Sequence, residues 1–187
     1  MDKVKMNANA FGFPMPMALL GTTYRGKPNF MALGWFTRVN YQPPMIGIGV
    51  NRSHVTYECI VENGCFSLSI PSEEMRVETD YTGCVSAQKV DKSALFPIFY
   101  GELDKAPMVE TCPVNMECRL VETFDFPTNT LFVGEIVNAY SEERYLDEKK
   151  QVDLSRSHPF MLSMLDNRFW NLGEVIGKAW SDGTKLK

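Results

Sequence analysis

Short segments with the two-residue periodicity of β-strands follow one another along this chain. The clearest is Cys65–Ile70, in which apolar side chains alternate with the serines Ser67 and Ser69. In a strand, successive side chains point to opposite faces, so this alternation predicts a strand with one apolar face. The run begins directly after Asn63-Gly64, a sequence typical of a helix C-terminus.

Similar segments recur on both sides of this strand. Strands are predicted at residues 17–23, 28–33, 35–39, 45–50, 65–70, 114–126 and 131–140. Turn signals separate several of them, notably Tyr24-Arg25-Gly26-Lys27, Gln42-Pro43-Pro44 and Phe126-Pro127-Thr128-Asn129. Many short strands with few helices predict a mainly β protein built as a closed or nearly closed antiparallel barrel.

Length and composition are consistent with one domain. A chain of 187 residues can bury a sizeable core, and its hydrophobic content of 44% is ordinary for a globular protein. We expect one domain over 1–187, with the barrel at about 10–140. A tail at about 158–187, rich in aromatic residues and glycines, would pack on the barrel or on a partner subunit.

Charge and cysteine content narrow the class of protein further. The net charge of −4, with scattered Lys and Arg, argues against nucleic acid as a partner. No apolar run approaches the roughly 20 residues that span a bilayer, so no membrane association is expected. Five cysteines without a Cys-x-x-Cys pair indicate free thiols in a reducing cytoplasm, and the presence of only two histidines argues against a metal site.

One segment combines several groups that bind anions. Arg52-Ser53-His54-Val55-Thr56 lies between a predicted strand and a predicted helix whose N-cap would be Ser53 or Thr56. The free N–H groups at a helix start attract anions, and a guanidinium, an imidazole and two hydroxyls lie beside them. The segment therefore suggests a phosphate site, with an ordinary capped helix as the alternative.

The order of several motifs resembles a known family. The motifs are Asn29-Phe30-Met31-Ala32, Trp35-Phe36-Thr37, Asn51 to Thr56, Asn63 to Leu68, Asp80-Tyr81-Thr82-Gly83 with Ser86, Val90-Asp91-Lys92, Glu117-Cys118-Arg119-Leu120 and Leu131 to Ile136. Over roughly residues 10–180 the chain resembles the flavin reductase-like, FMN-binding split-barrel family, within it the flavoredoxin branch. The resemblance implies a six-stranded antiparallel Greek-key split barrel, a homodimer and one FMN per subunit near the dimer interface.

The resemblance also implies which residues contact FMN. They are Asn29, Trp35, Thr37, Arg52, Ser53, Thr56 and Lys92, with Asn51 and His54 in the same motif. Two positions depart from the family pattern. Asn129 or Thr130 stands where a His or another polar residue is frequent, and the tail reads Met161-Leu162-Ser163-Met164 instead of a flavin-covering aromatic sequence.

Each of these residue types suits a flavin, and each has a structural alternative. Trp35 can stack on the ring or fill the barrel core. Asn29 can bind the pyrimidine edge or serve a turn after Pro28, and Thr37 can bond the ring or be an ordinary strand residue. Lys92 can place a cation at the ring edge or be a solvated surface lysine.

Three functions remain open at this point. The first is a reductase that transfers hydride from NAD(P)H to FMN, and the second is a flavoredoxin-type carrier that exchanges electrons with a redox protein. The third is a flavin-binding storage or sensor protein without turnover. In the first two, the cofactor performs the chemistry and the protein supplies orientation and electrostatics, so no catalytic side chain is predicted.

Overall fold

The structure is a computed structural model that describes residues 1–186. Lys187, the last residue of the predicted tail, lies outside the described residues. In chain order the elements are β1 (Met15–Pro16), β2 (Ala18–Tyr24), β3 (Lys27–Leu33), β4 (Phe36–Asn40), β5 (Met45–Asn51), α1 (Val55–Asn63), β6 (Cys65–Ile70), α2 (Arg76–Cys84), β7 (Ile98–Phe99), β8 (Met108–Val109), β9 (Val114–Asp125), β10 (Asn129–Tyr140), α3 (Leu154–Ser157), β11 (Phe160–Ser163) and β12 (Arg168–Asn171). Short 3₁₀ helices lie at Glu73–Met75, Glu143–Tyr145 and Asp182–Leu186.

One large antiparallel sheet organises the molecule. Its strand order is β3-β2-β6-β9-β10-β5-β4, which makes seven strands where six were expected. The two long strands β9 and β10 pair along most of their length, with register shifts that mark bulges or irregularities in the ladder. The prediction of a mainly β fold with short helices is confirmed, and the predicted strands agree with the observed ones to within two residues.

Apolar side chains are buried on both faces of the sheet. The larger cluster lies between the sheet and α1 and includes Leu20, Ile48, Ile60, Phe66 and Phe132. The smaller cluster consists of Leu19, Phe30, Phe96, Val109 and Cys112. The sheet therefore has an apolar core on each face. The segment at about 95–112 covers the face opposite the one that α1 covers.

This second cover explains the serines of β6. Ser67 and Ser69 are fully buried, although they occupy the polar face of the alternating pattern. Ser67 donates to the carbonyl of Pro107, and the Ser69 hydroxyl accepts from the N–H of Val109 at 3.2 Å. The two hydroxyls thus satisfy backbone groups of the covering segment.

A buried carboxylate joins several segments at one end of the sheet. Glu117 in β9 is fully buried, and its carboxylate accepts from the N–H groups of Glu102 at 3.1 Å and Leu103 at 2.8 Å. It also accepts from Asn138 Nδ2 at 2.8 Å and the Tyr140 hydroxyl at 2.7 Å. Burial alone would raise the pKa of Glu117, but these four donors outweigh it and hold the pKa below its usual value.

Strand pairing of the C-terminal part with its own chain ends at residue 171. β11 pairs with β1 and β12, and the rings of Phe160 and Phe169 meet edge to face at 5.3 Å. Beyond this small sheet, Val175, Ile176 and Trp180 are more than 90% exposed. The predicted tail is therefore divided into a packed part and an exposed apolar part.

Candidate functional site

A polar cavity lies where the start of α1 faces the end of α2 and the edge strand β3. Its volume is about 310 Å³, and we call it the Asn29 cavity. It is lined by Asn29, Met31, Ala32, Ser53, His54, Val55, Thr56, Thr82, Gly83, Cys84, Val85, Ser86, Ala87 and Lys92. Five of the nine predicted flavin contacts lie in this lining: Asn29, Ser53, His54, Thr56 and Lys92.

The start of α1 differs from the prediction in its cap. His54 occupies the N-cap position, so the helix is capped by neither Ser53 nor Thr56, and no described side chain caps it. The reason lies in Asn51, whose Oδ1 accepts from the Ser53 N–H at 2.9 Å and from the Ser53 hydroxyl at 2.8 Å. This local turn takes the Ser53 hydroxyl away from the helix amides. Val55 and Thr56 line the cavity, and their N–H groups are left without a side-chain cap, whereas the Tyr57 N–H donates to the His54 carbonyl at 3.0 Å. The predicted C-terminus is confirmed, since Gly64 has φ 65°.

Asn29 presents a buried amide to the cavity. It lies within β3, directly opposite Thr22 of β2, and is 3% exposed. Neither its Oδ1 nor its Nδ2 has a hydrogen-bond partner within residues 1–186. A buried amide left in this way costs about 1–3 kcal/mol, so native proteins rarely retain one without a partner. The Asn29 side chain therefore points to a ligand that supplies both an acceptor and a donor.

Lys92 brings a buried cation to the same wall. Its side chain is 5% exposed, and Nζ donates to the carbonyls of Thr82 at 3.2 Å and Val85 at 3.3 Å. In the described chain it forms no ion pair with a carboxylate. Burial lowers the pKa of Lys92 to about 8. An ammonium buried without a counter-charge favours the binding of an anion. The burial also excludes the alternative role for Lys92, that of a solvated surface lysine.

Arg52 and Asn51 lie outside this lining. The Arg52 guanidinium contacts Asp125 Oδ1 at 3.1 Å, and its Nε donates to the Thr130 hydroxyl at 3.2 Å. Thr130 in turn donates to Asp125 at 2.7 Å, so Arg52 is bound to the end of the β9–β10 hairpin. Asn51 is paired with Asn129 in the sheet. Flavin contact by these two residues stays a prediction.

Trp35 and Thr37 line a different, apolar cavity. Its volume is about 460 Å³, and we call it the Trp35 cavity. It is lined by Phe11, Phe13, Pro14, Met15, Pro16, Gly34, Trp35, Phe36, Thr37, Gly47, Gly49 and Leu131. Trp35 Nε1 donates to Met164 Sδ at 3.1 Å, and the Phe11 ring lies 6.3 Å from the Trp35 ring. The structure thus places five of the predicted contacts at the Asn29 cavity and two at the Trp35 cavity.

The segment Thr82–Ala87 lines the Asn29 cavity, although none of its residues was among the predicted flavin contacts. The motif Asp80-Tyr81-Thr82-Gly83 with Ser86 was a signal for it, because that motif was part of the family resemblance. Gly83 allows the end of α2 to approach β3 closely, since a Cβ at this position would lie 3.2 Å from the Cβ of Ala32 in β3. The end of α2 can therefore lie directly against the edge strand.

Comparison with known proteins identifies the family. A model of the flavin reductase like domain matches residues 10–168. The chain belongs to the flavin reductase-like family. The crystal structure of flavoredoxin from Methanosarcina acetivorans is 52% identical, with each chain covered in full and a TM-score of 0.97. Flavoredoxin of Desulfovibrio vulgaris (Miyazaki F) is 31% identical over 97% of this chain and 100% of the other, with a TM-score of 0.89.

One relative of this flavin reductase-like chain has a named activity. The NADH-dependent FAD reductase of Streptomyces globisporus is 22% identical over 139 residues, which are 74% of this chain and 76% of the relative. These likenesses confirm the predicted split-barrel class and its flavoredoxin branch. They also confirm, at the level of the family, a flavin-binding oxidoreductase.

Two further structural findings bear on the expectations. Among residues 1–186, no group of three or more His, Cys, Asp or Glu side chains is placed to hold a metal ion. In the same part of this flavin reductase-like chain, every helix is too short or too polar to cross a bilayer.

Proposed function

We propose that the chain is an oxidoreductase that holds one FMN per subunit in the Asn29 cavity and passes electrons through it. One observation carries the proposal: an unpartnered buried amide, Asn29, and an unpaired buried cation, Lys92, line the same cavity. A flavin offers the acceptors, donors and negative charge that these two groups lack within the protein.

The start of α1 supplies a fitting phosphate site within this proposal. His54 lies in the cavity lining together with Val55 and Thr56, whose backbone N–H groups have no side-chain cap. Helix-start amides and the helix dipole both stabilise a phosphate. Arg52 would join only if it exchanged Asp125 for the phosphate. We therefore assign the phosphate to His54, Thr56 and the α1 amides before Arg52.

The remaining residues would orient the rest of the cofactor. Asn29 would hydrogen-bond the ring or the ribityl chain, and Lys92 would donate to an acceptor at the ring edge, where negative charge gathers on reduction. When bound, FMN supplies the redox chemistry, while the protein excludes water and fixes orientation. The apolar Trp35 cavity suits an uncharged flat ring. Trp35 and Thr37 would contact a flavin from there, either of their own subunit or of a partner.

The electron donor separates the proposed function from a protein that only stores or senses flavin. We expect the FMN-loaded protein, kept free of oxygen, to be bleached rapidly by NADH, NADPH or a reduced ferredoxin. Rapid bleaching by a nicotinamide nucleotide would mark a flavin reductase, and rapid bleaching by ferredoxin alone a flavoredoxin-type carrier. Bleaching by none of them would contradict the oxidoreductase proposal and favour storage or sensing.

We propose that the functional form is a homodimer. Val175, Ile176 and Trp180 are almost fully exposed on one chain, and Phe13 and Trp35 are 56% and 41% exposed at the Trp35 cavity. Apolar surface of this kind is usually covered, and a two-fold dimer is the commonest way to cover it. Light scattering at micromolar concentration should give twice the chain mass of 21.2 kDa. A single-chain mass would contradict the dimer.

We also propose a domain extent and a cellular compartment for the protein. The whole chain, 1–187, acts as one flavin-binding domain, since the family match spans residues 10–168. We place the protein in the cytoplasm, because its five cysteines are free thiols in the structure and four of them are buried.

A further inference from the structure

A second cavity adjoins the Asn29 cavity and is more basic. Its volume is about 250 Å³, and we call it the basic cavity. It shares Asn29, Ala87 and Lys92 with the Asn29 cavity. The rest of its lining is Tyr24, Arg25, Lys27, Pro28, Gln88, Lys89, Val90 and Asp91. A ligand in one cavity would therefore lie directly against the other.

The lining of the basic cavity carries an excess of positive charge. Its four cations are Arg25, Lys27, Lys89 and Lys92, and its one carboxylate is Asp91. Lys27 Nζ contacts Asp91 Oδ2 at 2.6 Å and holds the pKa of that carboxyl well below its usual range. Within residues 1–186, the other three cations have no carboxylate partner. In a chain with a net charge of −4, such a concave basic site attracts an anion.

Arg25 reaches this cavity from a strained position. Arg25 and Gly26 are the two residues of the β2–β3 turn, and their φ angles are 51° and 75°. A turn with positive φ at both positions favours Asn-Gly, because a longer L side chain crowds the backbone there. The guanidinium is held 5.0 Å from the Tyr24 ring centre, so stacking fixes it. A strained residue persists where its surroundings or its function require it, and here it carries a cation to the cavity.

We propose that the basic cavity is an anion subsite for a second phosphate-bearing group, bound next to the flavin. The proposal rests on the proposed function, in which the start of α1 binds the single phosphate of FMN. Guanidinium and ammonium groups match phosphate oxygens in charge and hydrogen bonding. Two redox nucleotides carry such a group: FAD, in its adenylate half, and a nicotinamide dinucleotide, in its phosphates.

A double variant tests the subsite without disturbing the fold. Arg25→Asn removes the guanidinium and gives the turn its preferred Asn-Gly sequence, so the hairpin should be retained or stabilised. Lys89→Gln removes the second unpaired cation. The matched control is Lys149→Gln with Lys178→Gln, which removes two other positive charges that have no carboxylate partner in the described residues.

The measurements are the affinities of the flavin-free protein for FMN and FAD, and of the FMN-loaded protein for NADP⁺. For the Arg25→Asn, Lys89→Gln variant we expect FAD or NADP⁺ to bind at least about tenfold more weakly, while FMN changes less than about twofold. A loss confined to FAD would assign the adenylate half, and a loss confined to NADP⁺ the dinucleotide. The control variant should match the wild type.

Two outcomes would overturn the subsite alone. In the first, FAD and NADP⁺ bind the double variant as tightly as the control variant. In the second, FMN weakens as much as FAD, which would mean that Arg25 and Lys89 act on the FMN phosphate. A wild-type protein that binds no flavin at all would instead contradict the proposed function, and this inference with it.

Discussion

Replacing Glu117 with Gln should lower the free energy of unfolding by about 2–4 kcal/mol. The buried carboxylate accepts four hydrogen bonds through two oxygens, whereas the amide of Gln has one acceptor oxygen and one donor NH₂ group. The carboxylate now accepts from N–H and O–H groups of Glu102, Leu103, Asn138 and Tyr140. The NH₂ group of the new amide would therefore face at least one other donor. The other bonds would lose their ionic character. Urea denaturation should show a lower midpoint with an unchanged slope.

The control for Glu117 lies on the same strand. Glu122 is exposed, and its carboxylate accepts only from the neighbouring Thr123 N–H in the described chain, so Glu122→Gln should change stability by less than about 0.5 kcal/mol. The effect of Glu117 should also depend on pH. Its pKa is depressed in the folded state, so its stabilisation is complete above the ordinary value of 4.5 and is lost as pH falls below it. Equal stabilities of the two variants at neutral pH would contradict this role.

Replacing Lys92 with Met should weaken FMN binding by about 10- to 100-fold, since a charge-assisted contact in a desolvated site contributes roughly 1.5–3 kcal/mol. The stability of the flavin-free protein should respond differently. The carbonyls of Thr82 and Val85 lose a donor, but the cost of burying an unpaired ammonium disappears. We expect the free energy of unfolding to change by no more than about 1 kcal/mol.

Lys92 also predicts a pH dependence of flavin binding. Its pKa of about 8 lies below the ordinary value of 10.5, so in the flavin-free protein the ammonium loses its proton as pH rises through about 8. FMN affinity should therefore fall above that pH in the wild type and stay flat in Lys92→Met. Cys84 also lines the cavity, so the profile should be repeated in Cys84→Ala. A wild-type slope that persists in Lys92→Met, or vanishes in Cys84→Ala, would contradict the assignment to Lys92.

The parts of the fold that depend on neighbouring residues in sequence could be predicted. The strand Cys65–Ile70, the turn at Arg25 and Gly26, and the helix end at Gly64 all follow from local periodicity and backbone preference. The family resemblance, carried by separate motifs in order, was needed to bring Asn29 and Lys92 into one site.

The parts that depend on distant residues could not be predicted. Arg52 pairs with Asp125, which follows it by 73 positions, and a local pattern gives no sign of such a partner. Ser67 and Ser69 form the polar face of the alternating pattern, and nothing nearby in sequence shows that a segment some 40 residues later covers them. The predicted cap of α1 was wrong for a local reason, because the Ser53 hydroxyl that would have capped the helix donates to Asn51 instead.

If the Asn29 cavity binds FMN through its phosphate, a titration of the flavin-free protein will distinguish FMN from riboflavin. FMN and riboflavin would be added in parallel while flavin fluorescence and the visible spectrum are recorded. We expect saturation at one FMN per chain and an affinity at least about tenfold higher for FMN than for riboflavin, because only FMN carries the phosphate. Absence of saturable FMN binding, or equal affinity for riboflavin, would contradict FMN binding through its phosphate in this cavity.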